Sequence, residues 1–169
     1  MIVAKSAGIG VTVCLLALPS GAARPAPEPG PPAQVLTRRA DQPVGPEGVI
    51  GWQALVSGTV GIADGCLLLS IPTMRTVVVW PHGTRWSRDG QDLTMPDGGT
   101  LEVGDQVQGG GGYAGADRRF LQWLVGDTTA ERVVSCVRRT SARGVAVFNS
   151  YALEPLTRVR ADGSTEPLR

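Results

Sequence analysis

Apolar and small polar residues alternate from Val56 to Ile62. Val56, Gly58, Val60 and Ile62 fall on one face, and Ser57, Thr59 and Gly61 on the other. A period of two is that of a strand with one buried face. Ala63-Asp64-Gly65 follows; Asp-Gly tolerates the positive φ of a tight turn, so Cys66 to Ser70 is expected to return as the next strand. Ile71-Pro72-Thr73 ends it, because Pro cannot donate to a central ladder. Thr76 to Trp80 is an unbroken β-branched run closed by an aromatic, which predicts the most buried strand, and Pro81-His82-Gly83 turns the chain out. Leu93 to Met95 and Thr100 to Val103 flank Pro96-Asp97-Gly98-Gly99, a hairpin signal. Gln106 to Gly109 forms another short strand.

The pattern then changes. Phe120, Trp123 and Leu124 stand at i, i+3 and i+4, the spacing of a helical turn, although Phe120 to Val125 also reads as a strand. Arg132 to Val137 and Gly144 to Leu153 read as strands. The chain is therefore expected to be all-β, with five to seven short strands and at most one short helix. An OB-like or SH3-like barrel fits that count, with a small β-sandwich as the alternative. No internal repeat is visible.

The ends are of other character. Lys5, the uncharged apolar stretch Gly8 to Leu18 and the small residues up to Ala23 read as an export signal cleaved near Ala23, so that residues 1–23 are removed. The alternative is a retained anchor, against which stands a run shorter than the ~20 residues a spanning helix needs. Lipidation at Cys14 fits poorly, because Val13 precedes it. Seven prolines between Arg24 and Pro46 predict an extended tether over 24–50, and Asp162-Gly163-Ser164 and Pro167 predict a disordered tail over 156–169, with a weak hairpin at Ala161-Asp162-Gly163. Residues 51–155 remain for one domain with a modest core. Lys5 is the sole lysine, so the mature chain carries fifteen Arg against fifteen Asp and Glu. A neutral chain offers no electrostatic case for nucleic acid or for an anionic membrane as partner. The expectation is a secreted or extracytoplasmic monomer.

The residues Gly65-Cys66-Leu67, Val79-Trp80-Pro81 with Gly83-Thr84, Val103-Gly104-Asp105 with Val107, Gly109-Gly110-Gly111 and the later Cys136 together resemble a set of small exported bacterial proteins of secreted and lipoprotein type. The resemblance spans roughly Ala54 to Phe148 and implies an OB-like β-barrel. It implies no activity and carries over no catalytic residue.

Candidate chemistry is sparse. Cys66 and Cys136 are the cysteines left after cleavage, and an even pair in an exported chain reads as a disulfide. His82 is the single histidine, so a histidine-dependent hydrolase would have to use it, yet it sits in a turn and no Gly-x-Ser-x-Gly elbow occurs. Gly110 to Gly115 spells GxGxxG, but too little chain follows for a dinucleotide sheet; a flexible connection or bulged strand is the expected reading, with no cofactor. Asp89, Asp92 and Asp97 lack calcium-loop spacing, and no metal site is expected. Arg118, Arg119, Arg132, Arg138, Arg139 and Arg143, offset by Asp117, Asp127 and Glu131, read as a solvated strand face. Trp80 reads as core. Trp86, between Arg85 and Arg88, is the expected exposed aromatic contact, with Tyr113 joining it from the glycine run, where a sugar or peptide could stack. The leading expectation is an exported binding module whose surface is the turns around Pro81 to Arg88 and Gly109 to Gly115. A small secreted hydrolase using His82 and a structural module without ligand are the alternatives.

Overall fold

In the computed structural model, which describes residues 33–40, 52–88, 90–149 and 155–168, the alternating run becomes a long strand, Ala54–Ala63 (β1). Asp64 and Gly65 take φ of 50° and 70°, the left-handed pair that turns β1 into Cys66–Ile71 (β2), with Ala63 opposite Cys66. Met74–Val79 (β3) pairs back on β2. A small three-stranded sheet follows, made of Arg85–Trp86 (β4), Asp92–Thr94 (β5) and Thr100–Glu102 (β6). Gln106–Ala114 (β7) returns along β1, with Val56 opposite Gly109. Two helices, Arg118–Val125 (α1) and Asp127–Thr140 (α2), lead to Val145–Phe148 (β8). This strand enters between β3 and β7, parallel to the first and antiparallel to the second. The ring β1-β2-β3-β8-β7 closes on itself through the β1–β7 pairing. The expected small β-barrel is thus the fold.

The continuous apolar runs are two-faced strands. Leu67 and Leu69 of β2, Val78 of β3 with the adjacent Trp80, and Ala146 and Phe148 of β8 fill the barrel interior, where Trp80 stacks on Phe148 with ring centroids 5.4 Å apart. The alternate residues Cys66, Leu68, Val77, Val79, Val145 and Val147 face outward into a second core. That core is covered by α1, through Leu121 and Leu124, and by α2, through Ala130, Val133 and Cys136. A strand buried on both faces has no polar positions to alternate with, which is why Thr76 to Trp80 is unbroken.

Three expectations are corrected. Arg132 to Val137 is not a strand but part of α2: Ala130, Val133, Cys136 and Thr140 are buried at helical spacing, Asp127 opens the first turn and Arg138 and Arg139 close the last. The β-branched valines suggested a strand, but their spacing serves one helix face. With α2 beside α1, the described residues hold two helices where at most one was expected. Residues 156–168 are not disordered but form Thr157–Val159 (β9) and Thr165–Pro167 (β10), a hairpin added to β7. Leu156 and Leu168 are buried in the barrel core, and Arg158 pairs with Asp105 at 2.8 Å. Residues 33–40 are likewise no solvated tether. They form a strap in which Ala33 joins the inner core and Leu36 the outer one, while Trp80 N–H donates to the Leu36 carbonyl at 2.8 Å and Arg38 N–H to the Trp80 carbonyl at 3.0 Å.

The export signal at 1–23 with Cys14, most of the 24–50 tether, Asp89 and the 150–153 end of the last predicted strand lie outside the described residues. Among the described residues no helix is long and apolar enough to cross a membrane.

Candidate functional site

Trp86 does not stand out as an exposed contact. Its indole Nε1 donates to the Ala33 carbonyl, and the ring packs half-buried against the barrel core. The cause is the strap, which lies across β4 and gives the indole both a hydrogen-bond acceptor and a cover. Arg85 and Arg88 are exposed on either side of it. Tyr113 is also exposed, but its hydroxyl accepts from the Ser57 N–H at 3.2 Å. The residues expected to share one contact surface are therefore tied to different elements: Trp86 to the strap, Tyr113 to β1.

His82 is exposed, with Nδ1 3.3 Å from the Arg38 carbonyl. A carbonyl only accepts, so a hydrogen bond here requires the form of the ring that carries a proton on Nδ1. Among the described residues, the partner at Nδ1 is backbone of the strap and not the carboxylate that orients a triad histidine.

The glycine run lies inside β7. Gly109, Gly110 and Gly111 pair with β1, and Gly111 and Gly112 with β8. A phosphate-binding loop presents free N–H groups at the start of a helix, whereas this backbone is committed to two ladders. The glycines serve close approach. A Cβ on Gly109 would lie 2.3 Å from Leu156 Cδ2, and one on Gly111 2.1 Å from the Val147 carbonyl oxygen. On Gly112 it would lie 1.5 Å from Trp52 Cε3.

That last contact organises the most exposed aromatic surface. Trp52, seated on Gly112, stacks on Phe120 with centroids 5.6 Å apart, and Phe120 in turn meets Trp123 at 6.0 Å. Phe120 and Trp123 are presented by α1, whose first turn is fixed by the Asp117 carboxylate accepting from the Phe120 N–H at 2.8 Å. The Trp52 carbonyl accepts from Asn149 Nδ2 at 3.0 Å, which ties the shelf to the end of β8. Trp123 remains 46 % exposed. Beneath it, a pocket lined by Arg38, Trp52, Trp123, Leu124, Val147 and Asn149 holds only ≈ 10 Å³, about the space of one water, so the rings form a surface and not a cavity. Arg38 lies buried there, and burial pulls its guanidinium below the ordinary value. On the other side of Trp52 a cleft of ≈ 250 Å³ is lined by Gln53, Ala54, Leu55 and Gly110, and Leu55 is 61 % exposed. Sequence reasoning missed this surface. The available signal was the i, i+3 pair Phe120 and Trp123, but nothing in the linear pattern brings Trp52 to it.

Cys66 and Cys136 form a disulfide with Cα atoms 5.8 Å apart, joining β2 to α2. Arg139 Nη2 lies 3.1 Å from Cys66 Sγ and 3.6 Å from Cys136 Sγ. The basic residues expected on a strand face belong instead to the helices, apart from Arg143, and Arg118 pairs with Glu131 at 2.6 Å. Asp97 accepts from the Gly99 N–H at 3.0 Å within its own turn. Among the described residues no three His, Cys, Asp or Glu side chains gather as a metal site would require. No protein family, curated protein or solved structure matches this chain.

Proposed function

We propose that the protein is an extracytoplasmic binding module that holds a glycan chain against the shelf of Trp52, Phe120 and Trp123. The observation that carries the reading is the exposed Trp123 at the end of a row of three contacting rings. An exposed patch of this kind, braced from below, marks a contact site more often than a defect of folding. The flat face of a pyranose ring suits such a row, and Gln53 beside Trp52 offers an amide to sugar hydroxyls. Export rests on the apolar N-terminal stretch with cleavage near Ala23, and on a disulfide of the kind that persists in oxidising compartments.

The test is a titration of the purified chain with soluble cell-wall glycan fragments, followed by tryptophan fluorescence. A saturable change is expected, weakened by more than about 1 kcal/mol in Trp123→Ala, with the melting temperature little altered. Saturation by proline-rich peptides alone would assign the shelf to a peptide partner instead. A hydrolytic turnover lost in His82→Ala would reject the binding-module reading, and no saturable binding would leave a structural module.

A further inference from the structure

We infer that the cleft between the β2–β3 turn and the connection from α2 to β8 is a phosphate-binding site, separate from the aromatic shelf. It has a volume of ≈ 400 Å³ and is lined by Ser70, Ile71, Pro72, Thr73, Met74, Arg75, Ser141 and Arg143. The lining holds two guanidinium groups and three hydroxyls, all able to donate, and no carboxylate. Three arginines elsewhere on the surface pair with carboxylates, Arg118 with Glu131, Arg158 with Asp105 and Arg160 with Glu166. Neither Arg75 nor Arg143 has a carboxylate partner among the described residues. Two arginines without a carboxylate partner on the lining of one cleft supply the donors and the charge that a phosphate group requires.

The frame is rigid. Arg143 N–H donates to the Arg75 carbonyl at 2.9 Å, and Val77 N–H to the Gly144 carbonyl at 3.0 Å, so the two walls are hydrogen-bonded to each other. The disulfide at Cys136 anchors the last turn of α2 to the barrel. The negative end of that helix would oppose an anion, but its carbonyls are occupied: Ser141 N–H reaches Arg138 O and Ala142 N–H reaches Val137 O. Arg138 and Arg139 in the same turn add compensating positive charge. Ile71, Pro72 and Met74 supply an apolar wall, which suits the organic part of a phosphate ester better than free phosphate.

The experiment titrates the isotope-labelled chain at constant ionic strength with inorganic phosphate, with glycerol phosphate and with chloride. Saturable shifts are expected at the amides of Thr73, Arg75, Ser141 and Arg143 with both phosphates and not with chloride. Glycerol phosphate should bind several-fold more tightly; equal affinity would point to free phosphate as the source of the group. Vesicles of phosphatidylglycerol, compared with phosphatidylcholine, form a third arm: co-sedimentation with the former alone would make the source a lipid headgroup. The double variant Arg75→Gln/Arg143→Gln should weaken phosphate binding at least tenfold, while Arg85→Gln/Arg88→Gln and Trp123→Ala leave it unchanged. Thr73→Ala, a smaller change in the same cleft, should weaken it several-fold. Identical responses to phosphate and chloride, or wild-type binding by the first double variant, would overturn the assignment.

Discussion

The six-membered ring of Trp52 occupies the place where a Cβ on Gly112 would stand, 1.5 Å from its Cε3 and 2.6 Å from its Cζ3. The contact joins the residues just before β1 to the last glycine of the run, and Phe120 stacks on the same indole. Gly112→Ala must therefore push Trp52 outward. The expected loss of stability is about 1–3 kcal/mol, as for other overpacked sites, together with a changed near-ultraviolet signal from the stacked rings. Gly61→Ala is the matched control on β1. Its Cβ would meet nothing within 4 Å, so it should stabilise by about 0.4–1 kcal/mol through the unfolded chain. Thermal melts of the pair read both signs.

The disulfide closes a loop of 70 residues, which in the chain-entropy model stabilises by roughly 4 kcal/mol. Cys66→Ser/Cys136→Ser should lose most of that in a denaturant titration. Thiol counting on the unfolded, unreduced protein recovered from outside the cell should find neither Cys66 nor Cys136 free.

Trp80 and Trp86 should fail differently. Trp80→Ala empties the centre of the barrel and should cost roughly 3–5 kcal/mol. Trp86→Phe keeps a ring against the core but removes the bond to the Ala33 carbonyl, a loss of about 1 kcal/mol. Hydrogen exchange should then quicken at the Gln34 and Arg38 amides while those of β2 and β3 stay protected. Equal protection in the variant and the parent would show that the indole does not hold the strap.

Acid should loosen the terminal hairpin first. A hydrogen bond from Arg160 holds the Glu166 carboxyl below the usual carboxylate range, and one from Ser164 does the same for Asp162. Each folded pKa is depressed, so the stabilisation is complete above the unfolded carboxylate range and is lost as pH falls through the folded values. Exchange at the β9 and β10 amides should rise as pH falls below the ordinary carboxylate range, before that of the barrel. Glu166→Gln should reduce this pH dependence, and Asp162→Asn added to it should abolish it.

The barrel was legible because its strands carry their own marks. The Asp64-Gly65 turn, the two-sided run ending at Trp80 and the Pro96–Gly99 hairpin are local signals with local causes. The misread parts owe their order to distant partners. Leu36 and Leu156 lie in short, proline-bearing stretches with too few apolar residues to show a period; each is ordered by a core that other segments build. In α2, β-branched valines favoured the wrong element until burial on one face decided it. The site suffered in the same way: Trp86 lies where an exposed contact was expected, but a strap more than forty residues upstream covers it, and Trp52 becomes part of a surface only through α1.

β8 is the last of the five ring strands to be synthesised, and it sits between two strands that never touch each other in its absence. Until Val145–Phe148 is available, β3 and β7 each present an open row of N–H and C=O groups, and β3 is apolar on both faces. A nascent or truncated chain ending before Val145 is thus a template for pairing with its neighbours. The parallel β3–β8 closure also joins segments far apart in the chain, a slow kind of step. Completion of the barrel thus withdraws two adhesive edges at once, when Val145–Phe148 slots between them.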